Sequence, residues 1–572
     1  MKTTQICLLL ILLTITKLAI AQTTHKQEGM LNDLKFIESI FQDFYATTHW
    51  KKEYSGWNLE AETNPIRQAI INNPNIQLKE FHCLIKNLFM SPKDYHVSID
   101  FYSTELASLP FQVKGVDGRY FFSYISESTL ASKSFPFVKG DELLSFNDVA
   151  IHDVVTTIKN EDVGNNNDQT DYALAEIFLT SRLGMLGHVI PNGAVKLTGR
   201  KKGSTKELSC TLEWDYEPEK ITMPPKAHVR AHGLKLPEKI NPFANSKFFK
   251  KQFVCHHYKA MSALSLKAEE GSDVLGSKKS FLPSIGRVIW ESDEDAIFHS
   301  YVSTIPGGKF IGYIRIPSYT PENLDNALAE FLALIQIFNT ETDALVIDQV
   351  NNPGGYLLYV YALASMLTDK PMSVPKHRIM LTQSDIFLAH TFIDVLKDIE
   401  SDEAAVEAFE MPFLQGMSVD YQFVQSLTNH FEFIINEWDV GNRLTQPCYF
   451  HGIGPLQPHK EANYTKPILV LVNSLDFSGG DFFPAILQDN KRAKIFGTRT
   501  AGAGGVLEEI SFPNLRGIAS IQYTASIAER DGEFLIENRG VTPDIPYKVS
   551  AYDLQNDYAE YIREVVKALQ SL

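Results

Sequence analysis

Cysteine is scarce: 5 in 572 residues. This excludes a small disulfide-dense scaffold, and Cys83, Cys210, Cys255 and Cys448 lie too far apart to form a framework. Positive charge is also short. Lys and Arg number 53 against 69 Asp and Glu, a formal net charge of −16 at pH 7. A protein that holds nucleic acid displaces counterions with a basic footprint, so this balance speaks against such a partner. Long apolar runs are nearly absent. The one at 6–15 (ICLLLILLTI) is too short to cross a bilayer. It follows Met1-Lys2 and precedes the small-x-small site Ala19-Ile20-Ala21, which reads as a secretory signal peptide over residues 1–21. Cleavage there removes Lys2, Lys17 and Cys7 and leaves a more acidic chain. The expectation is an exported protein, secreted or periplasmic, with no stable membrane insertion after cleavage.

The full sequence is globular in composition, 44% hydrophobic and 21% charged, and long enough for several domains. Residues 22–105 read as a mostly helical region. Leu34, Phe36, Ile37, Ile40 and Phe41, then Leu78, Phe81, Leu84, Ile85 and Leu88, recur at helical spacing. Pro92 stops the second helix, and Val97, Ile99 and Phe101 then alternate as in a strand. Residues 106–215 read as β-rich, with FQVKGV and GRYFFSYIS joined by a turn at Asp117-Gly118. Residues 216–295 are rich in Pro and Lys and read as a partly ordered insert, its GSDVLGSKKS run exposed and open to proteolytic nicking. From 296 to 572 strand and helix patterns alternate, the grammar of βαβ units. Within it, Thr320-Pro321-Glu322 reads as a helix start, with Leu324, Leu328, Phe331, Leu332 and Ile335 as the buried stripe.

Two segments could carry chemistry. In LVLVNSLDFSGGDFFPAILQDN, Ser478 follows a buried strand and precedes Gly479 and a helix. A hydroxyl there lies beside the free N–H groups of a helix start, which can hold a developing oxyanion while the serine attacks a carbonyl. Read alone, Ser478 serves equally well as a helix N-cap. In VIDQVNNPGGY, Gly354 and Gly355 follow a buried strand and could present N–H groups at its carboxyl end, where open α/β sheets place ligands. A plain strand–helix turn is the equal alternative. A third cluster, His228, His232, Cys255, His256 and His257, contains zinc-ligand residue types, but HVRAH lacks the glutamate of a metalloprotease helix. No metal and no cofactor is expected.

The piece KGDELLSFNDVAIHDVV (139–155) resembles PDZ domains of secreted peptidases, which bind an extended peptide as an added strand. The order NNPGG, then strand–Ser478–helix, then GTRTAGAGG (497–505) resembles the tail-specific, or C-terminal-processing, serine peptidases over most of residues 308–545. That resemblance implies an α/β fold: a crotonase-like ααββ protease core, here with an N-terminal helical segment and a PDZ-like β-rich domain. One departure matters. The family commonly pairs its serine with a lysine where this chain has Ala503, and Arg499 stays protonated and cannot serve as a base. KDYHVSIDF, NSLDFSGGDFFP, GTRTAGAGG and FLIENRGVTPDI together resemble a secreted chlamydial branch of the family. This implies Ser478 as nucleophile, His96 as general base and Glu537 as acidic partner, with Gly479, Gly354 or Gly355 N–H groups as the oxyanion hole.

The expectation is therefore a secreted serine endopeptidase acting on protein or peptide substrates. The resemblance further implies a self-processing zymogen with 216–295 as its inhibitory segment, a homodimer, and delivery to a host cell. The alternative is a PDZ-bearing peptide-binding protein that has lost its chemistry, for which the missing lysine would be the mark. An acyl-CoA enzyme on the same core is weaker, because the signal peptide and the PDZ-like piece both oppose it.

Overall fold

The computed structural model describes residues 24–220, 253–254 and 274–572, apart from 133, 165, 513–515 and 533. The expected signal peptide and His228, His232, Cys255, His256 and His257 lie outside the described residues. No described helix is long and apolar enough to cross a membrane.

A seven-stranded sheet organises the C-terminal half. Its order is Arg287–Glu291, Ser300–Thr304, Phe310–Arg315, Ala344–Asp348, Ile468–Val472, Lys494–Gly497, Ile545–Pro546. The first three strands pair antiparallel and the rest parallel. Ala344–Asp348 and Ile468–Val472 are buried at every position, as a sheet covered on both faces demands. The sheet thus begins inside the stretch expected to be insert, before residue 296. The helix Leu324–Glu341 covers one face. Its cap is Asn323, whose side chain accepts the Asn326 N–H, and not the Thr320-Pro321-Glu322 turn read from sequence. The buried stripe is correspondingly Ala327, Phe331, Leu334, Ile335 and Phe338, with Leu324, Leu328 and Leu332 only partly covered.

The β-rich domain has the strand order Phe111–Val116, Arg119–Ile125, Glu142–Phe146, Ala194–Arg200, Glu207–Glu213. Asp117 and Gly118 both take positive φ, 50° and 76°, the backbone a tight two-residue hairpin needs. The helix Asp168–Thr180 packs on its edge strand.

The N-terminal helices do not stand apart. The strand Ser98–Phe101 pairs antiparallel with Ile518–Thr524 of the C-terminal half. Met30, Leu34, Ile37, Phe41, Phe81 and Ile85 share one core with Phe512, Ile518, Ile521 and Tyr523. Phe36 escapes the helical stripe read from sequence; it is 39% exposed and rests edge-on against Phe512.

The GSDVLGSKKS run departs from expectation where it is described. Leu275 is 3% exposed, buried among Tyr95, Phe178 and Phe477. Gly276 donates its N–H to the Asn351 carbonyl, and the Ser277 carbonyl accepts from the Arg315 guanidinium. An apolar anchor and two backbone bonds dock this stretch, so it is not the exposed nick site its polar composition implied.

Candidate active site

Ser478 stands where the buried strand Ile468–Val472 is carried by a short loop into the helix Gly479–Asp489. Its backbone is held at φ 55° and ψ −109°, which costs a non-glycine residue roughly 1–3 kcal/mol. Asp481 supplies the restraint. This buried carboxylate accepts the Ser478 N–H at 2.8 Å, the Gly502 and Ala503 N–H groups each at 2.9 Å, and the Thr500 hydroxyl. One side chain thereby ties the serine turn to the GTRTAGAGG loop. Burial pushes the Asp481 carboxyl up to about 7 against the pull of those donors. The Ser478 Oγ is buried and makes no hydrogen bond, so its hydroxyl is not spent on capping the helix. Such an orphaned group is costly unless it has a use.

His96 precedes the strand Ser98–Phe101. It is fully buried, and neither ring nitrogen makes a hydrogen bond. Its own N–H donates to Asp94 Oδ1 at 2.9 Å. Tyr95, its neighbour, packs edge-on against Phe477, the neighbour of Ser478, with ring centroids 5.4 Å apart. That contact brings the two segments together. Burial pulls the imidazole down to about 4; the Asp94 charge opposes this and Lys51 adds to it.

Glu537 is also fully buried. Its Oε2 accepts the Gly504 N–H at 2.9 Å, and its Oε1 accepts from the Lys51 ammonium. Burial first, then the neighbouring Asp94, pushes its carboxyl up to about 8, with Lys51 pulling the other way. Asp94 behaves differently. Burial acts to raise it, yet Lys51, His96 and the bonds it accepts hold it below the usual carboxylate range. Ser478, His96 and Glu537 thus share a region bound together by Asp481, Asp94 and Lys51, with no direct hydrogen bond among the three.

Lys51 and Asp94 were not singled out from sequence. Lys51 lies in THWKKEYS, where a Lys-Lys pair reads as a solvated helix face. The available signal was its setting between Trp50, Tyr54 and Trp57, a density of aromatics unusual for a solvated helix.

The glycines of the two motifs meet at the helix start. A side-chain carbon on Gly479 would stand 3.1 Å from the Gly355 nitrogen, so the helix start and the NNPGG turn touch. Gly354 donates its N–H to Asn352 Oδ1 at 2.8 Å, and its carbonyl accepts the Tyr319 N–H at 2.8 Å. The two-residue strand Phe253–Val254 of the insert runs antiparallel to Gly354–Gly355. Ala503, where a dyad lysine would stand, is fully buried among Leu174, Phe178 and Phe477.

Comparison with known proteins agrees with this architecture. Residues 105–221 match the PDZ domain and residues 310–547 match peptidase family S41. A Chlamydia trachomatis protein is 34% identical, with 95% of this chain and 93% of that one covered. The crystal structure of mature CPAF superposes with a TM-score of 0.80 at 33% identity, covering 95% of this chain and 97% of that one. Mature CPAF complexed with lactacystin superposes at 0.79 and 32%, covering 95% and 98%. The chain belongs to peptidase family S41, the C-terminal-processing serine peptidases, in the PDZ-bearing branch that CPAF represents.

Proposed function

We propose that this protein is a secreted serine endopeptidase that works by a Ser478/His96/Glu537 mechanism and is made as a zymogen. The observation that carries the reading is the insert strand Phe253–Val254 laid antiparallel on Gly354–Gly355, beside the serine turn. An extended backbone paired to a glycine strand next to a nucleophile is how a peptide substrate sits for cleavage. The chain's own insert holds that place.

In the proposed reaction His96 takes the Ser478 proton as Oγ attacks the scissile carbonyl, then returns it to the leaving amine. Water releases the acyl group by the reverse sequence. His96 is neutral above its lowered pKa, and therefore able to accept the proton at neutral pH. The N–H groups of Gly479 and Gly355 are the proposed oxyanion donors; the Gly354 N–H is committed to Asn352. Asp94 and Glu537 offset the imidazolium charge as it forms. Protein substrates from a host cell and a homodimeric enzyme are part of the same proposal, by likeness to the relatives.

The test is incubation of residues 22–572, beside Ser478→Ala, with unfolded casein and with nothing. The parent is expected to cut casein and to cleave itself within 216–295, N-terminal to Val274 because the residues after it are docked. Ser478→Ala should stay a single intact chain. Self-cleavage by that variant would exclude the zymogen reading. Failure of the parent to cut casein even after the insert is nicked would favour the peptide-binding protein without chemistry.

A further inference from the structure

A single buried lysine stands between the two carboxylates of the site. Lys51 is 0% exposed. Its ammonium donates to Glu537 Oε1, to Asn538 Oδ1 at 2.8 Å and to the Lys93 carbonyl at 2.9 Å, and lies 3.8 Å from Asp94 Oδ2. The segment bearing His96 and the one bearing Glu537 are both held by this one side chain. A buried ammonium is strongly unfavourable unless paired, and here every hydrogen it can donate has an acceptor. Asp94 is held from its far side by the Tyr45 hydroxyl at 2.9 Å, the Thr524 hydroxyl at 2.9 Å and the His96 N–H. Both oxygens of Glu537 face N–H donors, the arrangement of an ionised carboxylate rather than an acid.

Charge counting gives the cluster a purpose. With Glu537 ionised, the state its two donors favour against the upward push of burial, two carboxylates and one ammonium leave one net negative charge beside a neutral His96. A proton arriving on His96 brings the cluster to neutrality. A site without Lys51 would hold two negative charges out of water, and one of them would take up a proton instead. The groups facing Lys51 are Asp94 and His96 from the loop before Ser98–Phe101 and Glu537 from the C-terminal half, with Tyr45, from the turn before the helix of Lys51, donating to Asp94.

We propose that Lys51 is a positioning residue of the peptidase: its shared ammonium fixes the place and the negative charge of Glu537 and Asp94, the carboxylates that offset the His96 imidazolium. This rests on the triad reading above. Lys51 makes no hydrogen bond to Ser478, so it does not replace the missing dyad lysine.

The experiment is the pH dependence of peptide hydrolysis by the chain with its insert nicked, its active-site concentration titrated with lactacystin. Parent, Lys51→Gln, Lys51→Arg, Glu537→Gln and Lys51→Gln/Glu537→Gln are compared. Lys51→Gln is expected to lower kcat about 100-fold at pH 7 with KM within about twofold, and to move the acid limb of the profile up by at least about one pH unit. The direction follows because loss of the cation makes the carboxylates harder to ionise. Lys51→Arg should keep the parental limb. The double variant should be no less active than Glu537→Gln. A role confined to stability would lower the titratable fraction and leave the profile in place, and a parental acid limb in Lys51→Gln would overturn the proposal. If Lys51→Gln does not fold, the double variant decides, since removing both partners of a buried pair is far milder than removing one. A further tenfold loss there relative to Glu537→Gln would show that Lys51 does not act through Glu537. Full activity in Ser478→Ala, His96→Ala or Glu537→Gln would instead sink the triad itself, a separate outcome.

Discussion

Among the described residues, the imidazoles of His96 and His377 are both 0% exposed with a ring nitrogen that makes no hydrogen bond, and His96 is the one whose neighbour, Tyr95, packs on Phe477 beside Ser478. His377 stacks on Phe482 at 5.5 Å with its Nδ1 3.1 Å from the Ser526 hydroxyl. Burial pulls it down to about 3, with His430 adding to the effect. Its folded pKa lies below its unfolded one, so protons bind the unfolded chain better. The associated stability is intact above the unfolded value and lost as pH falls toward 3. Linkage puts the loss between pH 7 and pH 5 at about 2 kcal/mol for this group. His377→Phe keeps the stacked ring, and the Ser526 hydroxyl still accepts the Val506 N–H at 2.9 Å. Urea unfolding at both pH values should then show a drop smaller by about that amount. An unchanged drop would mean that His377 is solvated. At the proposed triad, Ser478→Ala and His96→Ala should each cost at least about 1,000-fold in kcat, and the double variant should cost little more, because on that proposal the two act as one unit. Additive losses measured in a casein or peptide assay would separate them.

At the scale of elements, the serine turn and the glycine strand are built by close approach. Gly355 has φ +154°, and a side-chain carbon there would stand 2.1 Å from the Tyr319 carbonyl carbon. Gly355→Ala therefore has to move the strand that faces the proposed substrate position. It should abolish hydrolysis and lower the melting temperature by more than Gly307→Ala, where φ is +101° but nothing lies within 4 Å. Equal melting temperatures would show that the NNPGG turn is soft. The same elements show what a sequence exposes. Ile468–Val472, the Ser478 turn and the Asp117-Gly118 hairpin were legible because burial and positive φ constrain residue type locally. The cap at Asn323 was misplaced because Thr320-Pro321-Glu322 offers a stronger local signal than the bond that forms. Leu275 was misread because its buried partners, Tyr95 and Phe477, are remote in sequence. Lys51 was invisible for the same reason: its acceptors are Lys93, Glu537 and Asn538. Long-range pairing that reverses a residue's usual preference leaves no periodicity to read.

For the whole molecule, the consequence is that the peptidase core is not a detachable domain. The base candidate His96 and the cation Lys51 come from the N-terminal region, whereas Ser478 and Glu537 come from the C-terminal half. The two halves are joined by the pairing of Ser98–Phe101 with Ile518–Thr524 and by one shared apolar core. Removing residues 22–105 would bare Phe512, Ile518, Ile521 and Tyr523, four side chains each 7% exposed or less, at about 1.5–3 kcal/mol apiece. It would also open the edge of Ile518–Thr524 to non-native pairing and leave Glu537 buried without its cation. A chain beginning at residue 106 is therefore expected to aggregate, or to lack a cooperative thermal transition, even though it contains every residue that matches family S41. Adding residues 22–105 as a separate chain during refolding should restore both a cooperative transition and casein cleavage, because a strand and a core face, not a covalent link, make the junction. Size-exclusion chromatography and calorimetry on the two preparations decide it: a monomeric, cooperatively melting 106–572 chain would mean that the N-terminal region is an accessory to the catalytic half and not part of its core.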